Sequence, residues 1–399
     1  MKTIHAVMLL CGVLLLAAVR AGAADELPWD LPRLMQAPRA EPAEGFATNK
    51  LRAVFFEGLP STGQPTRVFA YIGMPEHKPG VKVPAMVLVH GGGGTAFVKW
   101  VELWNSRGYA AIAMDTCGCV PRGSYGKWQR HAHGGPAGWG GFEQLDAAAQ
   151  DQWSFHAVAA VVLAHSLLRA QPDVDTARIG ITGISWGGYL TCIAAGVDDR
   201  YQLAMPVYGC GFLGDNSTWL PKFKQMGAEK AATWLRRWDP SRYLPRAQMP
   251  FLWVDGSNDF AYPMDSLQKS YRLPPGLRTL CTRVRMPHGH GGPGENPEEL
   301  RAFADHILKG GPALARITAQ GRDWATYESA AKIVKAELNF TKATGNWKER
   351  RWETIPATLD AAQRKVTITI PVGTTVHYFN IIDEHGLVVS AEHMESPQP

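Results

Sequence analysis

The stretch RIGITGISWGGYLT, residues 178–191, joins two kinds of local structure. Its first part, Arg178 to Thr182, is short, apolar and β-branched, as a buried parallel strand is, while Tyr189 to Ala195 carries helix-compatible spacing. Ser185 stands at the joint, with Gly183 and Gly187 two residues to either side. A strand that turns so sharply into a helix leaves no room for side chains at the two glycine positions, and it pushes the serine hydroxyl out above the sheet. The same turn sets the backbone N–H of Trp186 at a helix start, where unpaired donors and the helix dipole favour a negatively charged oxygen. The chain holds 41 glycines, so the motif needs context before it means anything.

Context comes from the pattern around it. Apolar, β-rich runs recur at Arg52–Phe56, Arg67–Met74, Ala85–His90, Tyr109–Asp115, Arg178–Gly183, Leu203–Tyr208, Phe251–Asp255 and Thr279–Met286. Helical patterns fall between several of them, at Val98–Arg107 and Asp151–Arg169, and again at Glu298–Leu308. Alternating strands and helices predict an α/β architecture, a mainly parallel sheet covered by helices on both faces. Ligands in such sheets bind beyond the carboxyl ends of the strands, and Ser185 lies at such an end.

An alcohol is a poor nucleophile at neutral pH, so Ser185 requires a base and a third group to orient that base. Asp259 follows the predicted strand Phe251–Asp255, in the loop GSNDFAYP; Asp255, at the strand end, is its alternate. His288 and His290 follow the predicted strand Thr279–Met286 in PHGHGG. His290 is favoured as the base because glycines flank it on a free loop, with His288 kept as the alternate. A second N–H donor for an oxyanion comes from HGGGG, residues 90–94, where bare backbone approaches a substrate closely; Gly92 or Gly93 supplies it.

These four segments, HGGGGTAF, GISWGGYLT, GSNDFAYP and MPHGHGG, resemble exported bacterial α/β hydrolases of the acetyl xylan esterase, dienelactone hydrolase and prolyl-oligopeptidase-like grouping. The resemblance spans about residues 50–310 and implies an α/β-hydrolase fold. It also implies Ser185 as nucleophile, Asp259 as acid and His290 as base, with the N–H groups of Trp186 and Gly92 at the oxyanion. The leader is too short for the β-propeller that prolyl oligopeptidases carry, which favours an esterase over a peptidase. The expected activity is cleavage of a carbohydrate ester or other small ester through an acyl-enzyme, with no cofactor. A peptidase acting on short peptides is the alternative within the same chemistry, and a non-catalytic binding protein on a hydrolase scaffold is the alternative outside it.

The first residues have a basic Lys2, an apolar run from Ile4 to Val19 and small residues before Asp25, the pattern of a cleavable signal peptide. Residues 1–23 are therefore expected to be removed and the product to be secreted or periplasmic. Losing Lys2 and Arg20 takes the net charge from +5 to about +3, small for 399 residues, and nothing implies nucleic acid as a partner. No later segment has the roughly 18 apolar residues of a membrane span. Cys117, Cys119, Cys192, Cys210 and Cys281 remain, an odd and scattered set that argues against a disulfide framework.

Residues 24–50 read as an extended leader rich in proline and alanine, and 51–312 as the catalytic unit. Residues 318–399 change character: KVTITIPVGTTVHYFNIIDEHGLVVSAEH alternates with period two, with Gly373 and Gly386 at turns, and predicts a small antiparallel β domain. The long segment Cys117–Gln144 is expected at the edge of the site. Its Trp128 and Trp139, with Trp219 farther on, offer flat faces for sugar rings, while Arg130 and His131 offer hydrogen bonds. His131-Ala-His133 and His288-Gly-His290 lack the further ligands of a zinc site, and no metal is expected.

Overall fold

The computed structural model describes residues 27–396, so the signal-peptide reading lies outside the described residues. The chain runs through α1 (Leu31–Leu34), β1 (Ala40–Pro42), β2 (Leu51–Glu57), β3 (Arg67–Gly73), β4 (Val83–Val89), α2 (Val98–Ser106) and β5 (Ala110–Met114). A hairpin follows, β6 (Cys119–Ser124) and β7 (Lys127–Arg130), then α3 (Trp153–Arg169), β8 (Val174–Ile184), α4 (Trp186–Val197) and β9 (Leu203–Val207). The rest of this unit is α5 (Leu220–Met226), α6 (Ala228–Trp238), β10 (Phe251–Gly256), α7 (Met264–Tyr271), β11 (Arg278–Arg283), α8 (Gly292–Glu295) and α9 (Glu298–Lys309).

Nine of these strands form one sheet in the order β1-β2-β3-β5-β4-β8-β9-β10-β11. From β5 to β11 the pairing is parallel, and β1, β2 and β3 extend it antiparallel at the other edge. Every residue of β4, β5, β9 and β10 is buried, as expected of strands with helices on both faces, whereas β2, at the antiparallel end, mixes buried and exposed positions. Helix α3 is apolar nearly all round and buried from Trp153 to Leu168. Its His165 is a core polar group: Nδ1 is 2.8 Å from Asp198 Oδ2, the ring stacks on Tyr201, and burial lowers its pKa.

The leader is folded rather than simply extended. Trp29 is buried among Phe155, Trp238 and Tyr243, its Nε1 donates to the Phe155 carbonyl at 3.0 Å, and β1 pairs with β2. These are single anchoring contacts, which leave no periodicity in the sequence. The strand expected over Thr279–Met286 stops at Arg283, because Arg285 takes a left-handed φ of 53° and its N–H donates to Ser257 Oγ. All five expected cysteines are free thiols.

The C-terminal strands are β12 (Arg316–Gln320), β13 (Trp324–Glu328), β14 (Ile333–Thr341), β15 (Trp352–Pro356), β16 (Thr358–Asp360), β17 (Lys365–Thr367), β18 (Val376–Asp383), β19 (Val388–Ser390) and β20 (Met394–Glu395). They form two antiparallel sheets, β12-β13-β17-β16 and β15-β14-β18-β19, with β20 also on β18. The second sheet docks on the β11 edge of the core. There Thr282 N–H donates to Ser390 Oγ at 2.8 Å, Asn380 Nδ2 donates to Thr282 O at 3.1 Å, and Val388 N–H donates to Glu299 Oε1 at 2.8 Å. Farther up, Asn258 Nδ2 faces the carbonyls of Trp347, Lys348 and Arg350 at 3.1, 3.1 and 2.8 Å.

Candidate active site

Ser185 sits between β8 and α4 with φ 58° and ψ −119°, a backbone strained for any residue but glycine. The turn is held by its surroundings: Ser185 N–H donates to Val207 O at 2.8 Å, and Tyr189 N–H donates to Ser185 O at 2.9 Å. A Cβ on Gly183 would lie 2.2 Å from Gly187 O, and one on Gly187 would lie 1.9 Å from Val89 O. Both flanking positions therefore admit only glycine. Trp186 opens α4, so its N–H has no acceptor within the helix.

The glycine segment lies directly against this turn. A Cβ on Gly91 would meet Ile184 O at 2.6 Å and Ser185 Cβ at 3.1 Å, and one on Gly92 would meet Trp186 Cδ1 at 2.9 Å. The N–H groups of Gly92 and Gly93 donate to nothing among the described residues, whereas Gly94 N–H closes a turn onto Gly91 O. Tyr125 Oη donates to Gly92 O at 2.7 Å, and Trp128 Nε1 donates to Gly93 O at 2.8 Å, so the hairpin β6–β7 holds the loop from outside. His90 holds it from inside. Its Nε2 accepts from Thr116 N–H at 3.0 Å, and burial keeps its pKa below the ordinary value despite nearby Asp115.

Asp259 is fully buried in the loop after β10, and its Oδ1 accepts the N–H groups of Ala261 and Tyr262, both at 2.8 Å. Its Oδ2 is 2.5 Å from Nδ1 of His288. That ring stacks on Tyr208 with centroids 4.6 Å apart and lies against Phe260 at 4.7 Å, while Tyr208 Oη donates to Pro287 O. The pairing expected for His290 is thus corrected: the structure brings Asp259 to His288. His290 instead has Nδ1 2.9 Å from Glu295 Oε1, and its Nε2 accepts Gly91 N–H at 2.9 Å. With that lone pair occupied and the ring set against Phe97 and Trp100, His290 has no nitrogen ready to take a proton from Ser185. Nε2 of His288 has no hydrogen-bond partner among the described residues. Glu295 was not anticipated, since nothing in its short glycine- and proline-rich surroundings marks it.

Asp255, the alternate acid, is fully buried at the end of β10 and accepts only the N–H of Gly256. Burial, reinforced by the charge of Asp259, pushes its pKa well above the usual carboxylate range. It neighbours the acid and makes no hydrogen bond to either histidine.

The expected sugar-binding residues divide into two groups. Trp219 tilts onto the Trp186 ring at 4.5 Å, and Trp139 stands beside His90 and approaches Gly92, so both border the elbow. Trp128 borders the glycine loop. Arg130 and His131 do not join them. The Arg130 guanidinium is turned onto the carbonyls of Cys117 and Gly135, and the His131 ring packs on Phe55 at the antiparallel end of the sheet.

Comparison with known proteins bears on this arrangement. The family model for acetyl xylan esterase (AXE1) matches residues 44–245. Among solved structures, an acetyl xylan esterase from Paenibacillus sp. R4 superposes with a TM-score of 0.55 at 22% identity, covering 69% of this chain and 92% of that one. Acetyl xylan esterase 1 from Thermoanaerobacterium sp. JW/SL YS485 gives 0.52 at 18% identity, over 65% and 87% of the two chains. At these identities the likeness is one of fold. A curated relative, the uncharacterized peptidase YuxL of Bacillus subtilis (strain 168), is 22% identical over 219 residues, which is 51% of this chain but only 30% of that protein. With half of its length matched by the family model, including the glycine loop and the serine elbow, the chain belongs to the acetyl xylan esterase (AXE1) family of α/β hydrolases.

Proposed function

We propose that the protein is a serine carboxylic-ester hydrolase that works through an acyl-enzyme, with Ser185 as nucleophile, His288 as base and Asp259 as the group that orients His288. The observation that carries this reading is the Asp259–His288 hydrogen bond, formed between the loops after β10 and β11, with His288 stacked on Tyr208, the residue after the Val207 whose carbonyl accepts the N–H of Ser185 in its strained elbow. Asp259 accepts from Nδ1–H, which leaves the Nε2 lone pair of His288 to take the serine proton. Attack on the ester carbonyl then forms an Oγ–C bond and places negative charge on the carbonyl oxygen, where the N–H groups of Trp186 and Gly92 stabilise it. His288 returns the proton to the departing alcohol, and water repeats the sequence to release the acid. The reading includes export, on the strength of the apolar start of the chain.

Hydrolysis of p-nitrophenyl acetate tests it. Ser185→Ala is expected to lower kcat by about four orders of magnitude or more while the thermal melt is unchanged. Full activity in that variant overturns the assignment. The likeness to a protein described as a peptidase favours a second reading, cleavage of short peptides, and faster turnover of aminoacyl amides than of acetyl esters would select it.

A further inference from the structure

A cleft of about 450 Å³ opens beside His288, between the acid loop and the C-terminal β region. One wall is Asn258 to Phe260 with Arg285 to His288, and the other is Lys348 to Arg351. Four cations therefore line it, Arg285, Lys348, Arg350 and Arg351, against one exposed carboxylate, Glu349. Asp259 brings no second one, since it is buried and bound to His288.

The cationic wall is built. Asn258, the residue before the acid, holds the backbone of the opposite wall through its amide, at the carbonyls of Trp347, Lys348 and Arg350, and the Arg350 guanidinium lies over the buried Trp347 ring at 3.7 Å with Nη2 donating to Gly345 O at 2.9 Å. Lys348 has only a 3.9 Å approach to Glu349. The guanidinium groups of Arg285 and Arg351 have no partner among the described residues. Arg285 is also one of the few non-glycine residues with a left-handed backbone, at φ 53°, and its N–H donates to Ser257 Oγ, which anchors its backbone beside the acid loop. Unpaired guanidinium groups around a concave surface are suited to a planar oxyanion, which they can bind through two parallel hydrogen bonds.

We infer that this cleft is a subsite for a carboxylate on the substrate, and that the substrate class is an ester whose alcohol part is an acidic sugar. The placement on the alcohol side rests on the proposed function: His288 lines the cleft, and His288 is the group that protonates the departing alcohol. The C-terminal β region thereby supplies a specificity-determining wall to a site whose chemistry lies in the core.

Binding measured without turnover tests the subsite separately from the reaction. In the full chain carrying Ser185→Ala, titration calorimetry with glucuronic acid, glucose 6-phosphate and glucose is expected to show glucuronate binding at least about tenfold tighter than glucose. Adding Arg351→Glu, or Arg285→Asn, whose new side chain tolerates the left-handed backbone, is expected to remove that preference, while the charge reversal Lys50→Glu, at an exposed lysine just before β2 at the opposite end of the sheet from β11, leaves it. Thermal melts of each variant establish folding. Equal binding of glucuronate and glucose, or a preference that survives in Arg351→Glu, overturns the inference. A clear preference for the phosphate over the carboxylate overturns the assignment to acidic sugars. Glucuronate binding in a protein that hydrolyses no ester leaves the subsite standing and refutes the proposed reaction.

Discussion

His288 and His290 lie two residues apart, each with Nδ1 on a carboxylate, yet the two pairs are built for different work. Asp259 is fully buried with its second oxygen fixed by two backbone N–H groups, and the imidazole it holds has a free Nε2. Glu295 comes from the short helix α8, only five residues beyond His290, and the Nε2 of that imidazole accepts Gly91 N–H. The first pair leaves a lone pair free, as the proposed base requires. The second uses its lone pair to fix the backbone of the glycine loop beside Ser185, so in the proposed mechanism it would act by positioning Gly91 and its neighbours. An imidazole–carboxylate pair is thus not a catalytic signature until the far nitrogen has been followed to its partner.

The widest separation between the two pairs should appear on alanine replacement. His288→Ala is expected to lower kcat for p-nitrophenyl acetate by about 10⁴-fold, and His290→Ala by about tenfold with a drop in Tm, measured by steady-state kinetics and thermal melts. The reverse ranking would return the base to His290. A smaller effect comes from Glu295→Gln, which keeps an acceptor for His290 Nδ1–H but removes the charge; about a two- to threefold loss in kcat is expected. A loss as large as that of His288→Ala would show that the pair titrates in the reaction.

The smallest effect on rate is expected at Asp255, which lies next to the acid but bonds to neither histidine. Its folded-state pKa is raised, so above about pH 4, where the unfolded chain ionises this group, the folded state holds the proton to higher pH, and stability declines as pH rises toward the folded pKa. Asp255→Asn removes that decline. Its kcat should stay within about twofold of the parent, while its Tm advantage grows as pH rises from about 4 through the acidic range. A constant Tm difference across that range would contradict a protonated Asp255.

The parallel strands were readable because burial on both faces demands unbroken apolar, β-branched runs, as in Val83–Val89 and Phe251–Gly256. The elbow was readable because two glycines are sterically obligatory. Asp259 over Asp255 followed from loop position alone. The choice between His288 and His290 was not decidable that way. Both lie on the same loop, and the outcome depends on Tyr208 and Phe260 holding one ring and on Glu295 and Gly91 engaging the other, contacts made by residues distant in sequence or unmarked in type. Arg130 and His131 failed for a related reason, since their polar groups meet local carbonyls and an aromatic ring rather than the cleft. The cationic wall was also invisible, because Lys348 to Arg351 reaches the acid loop only through the folding of a separate sheet.

The burial of Trp29 has a consequence for the order in which the molecule can be completed. Its slot is lined by Phe155, Trp238 and Tyr243. The Trp29 ring therefore cannot be fully enclosed until Tyr243 has left the ribosome. A protein arranged this way finishes its core late, which keeps the nascent polypeptide open to handling by whatever meets it first.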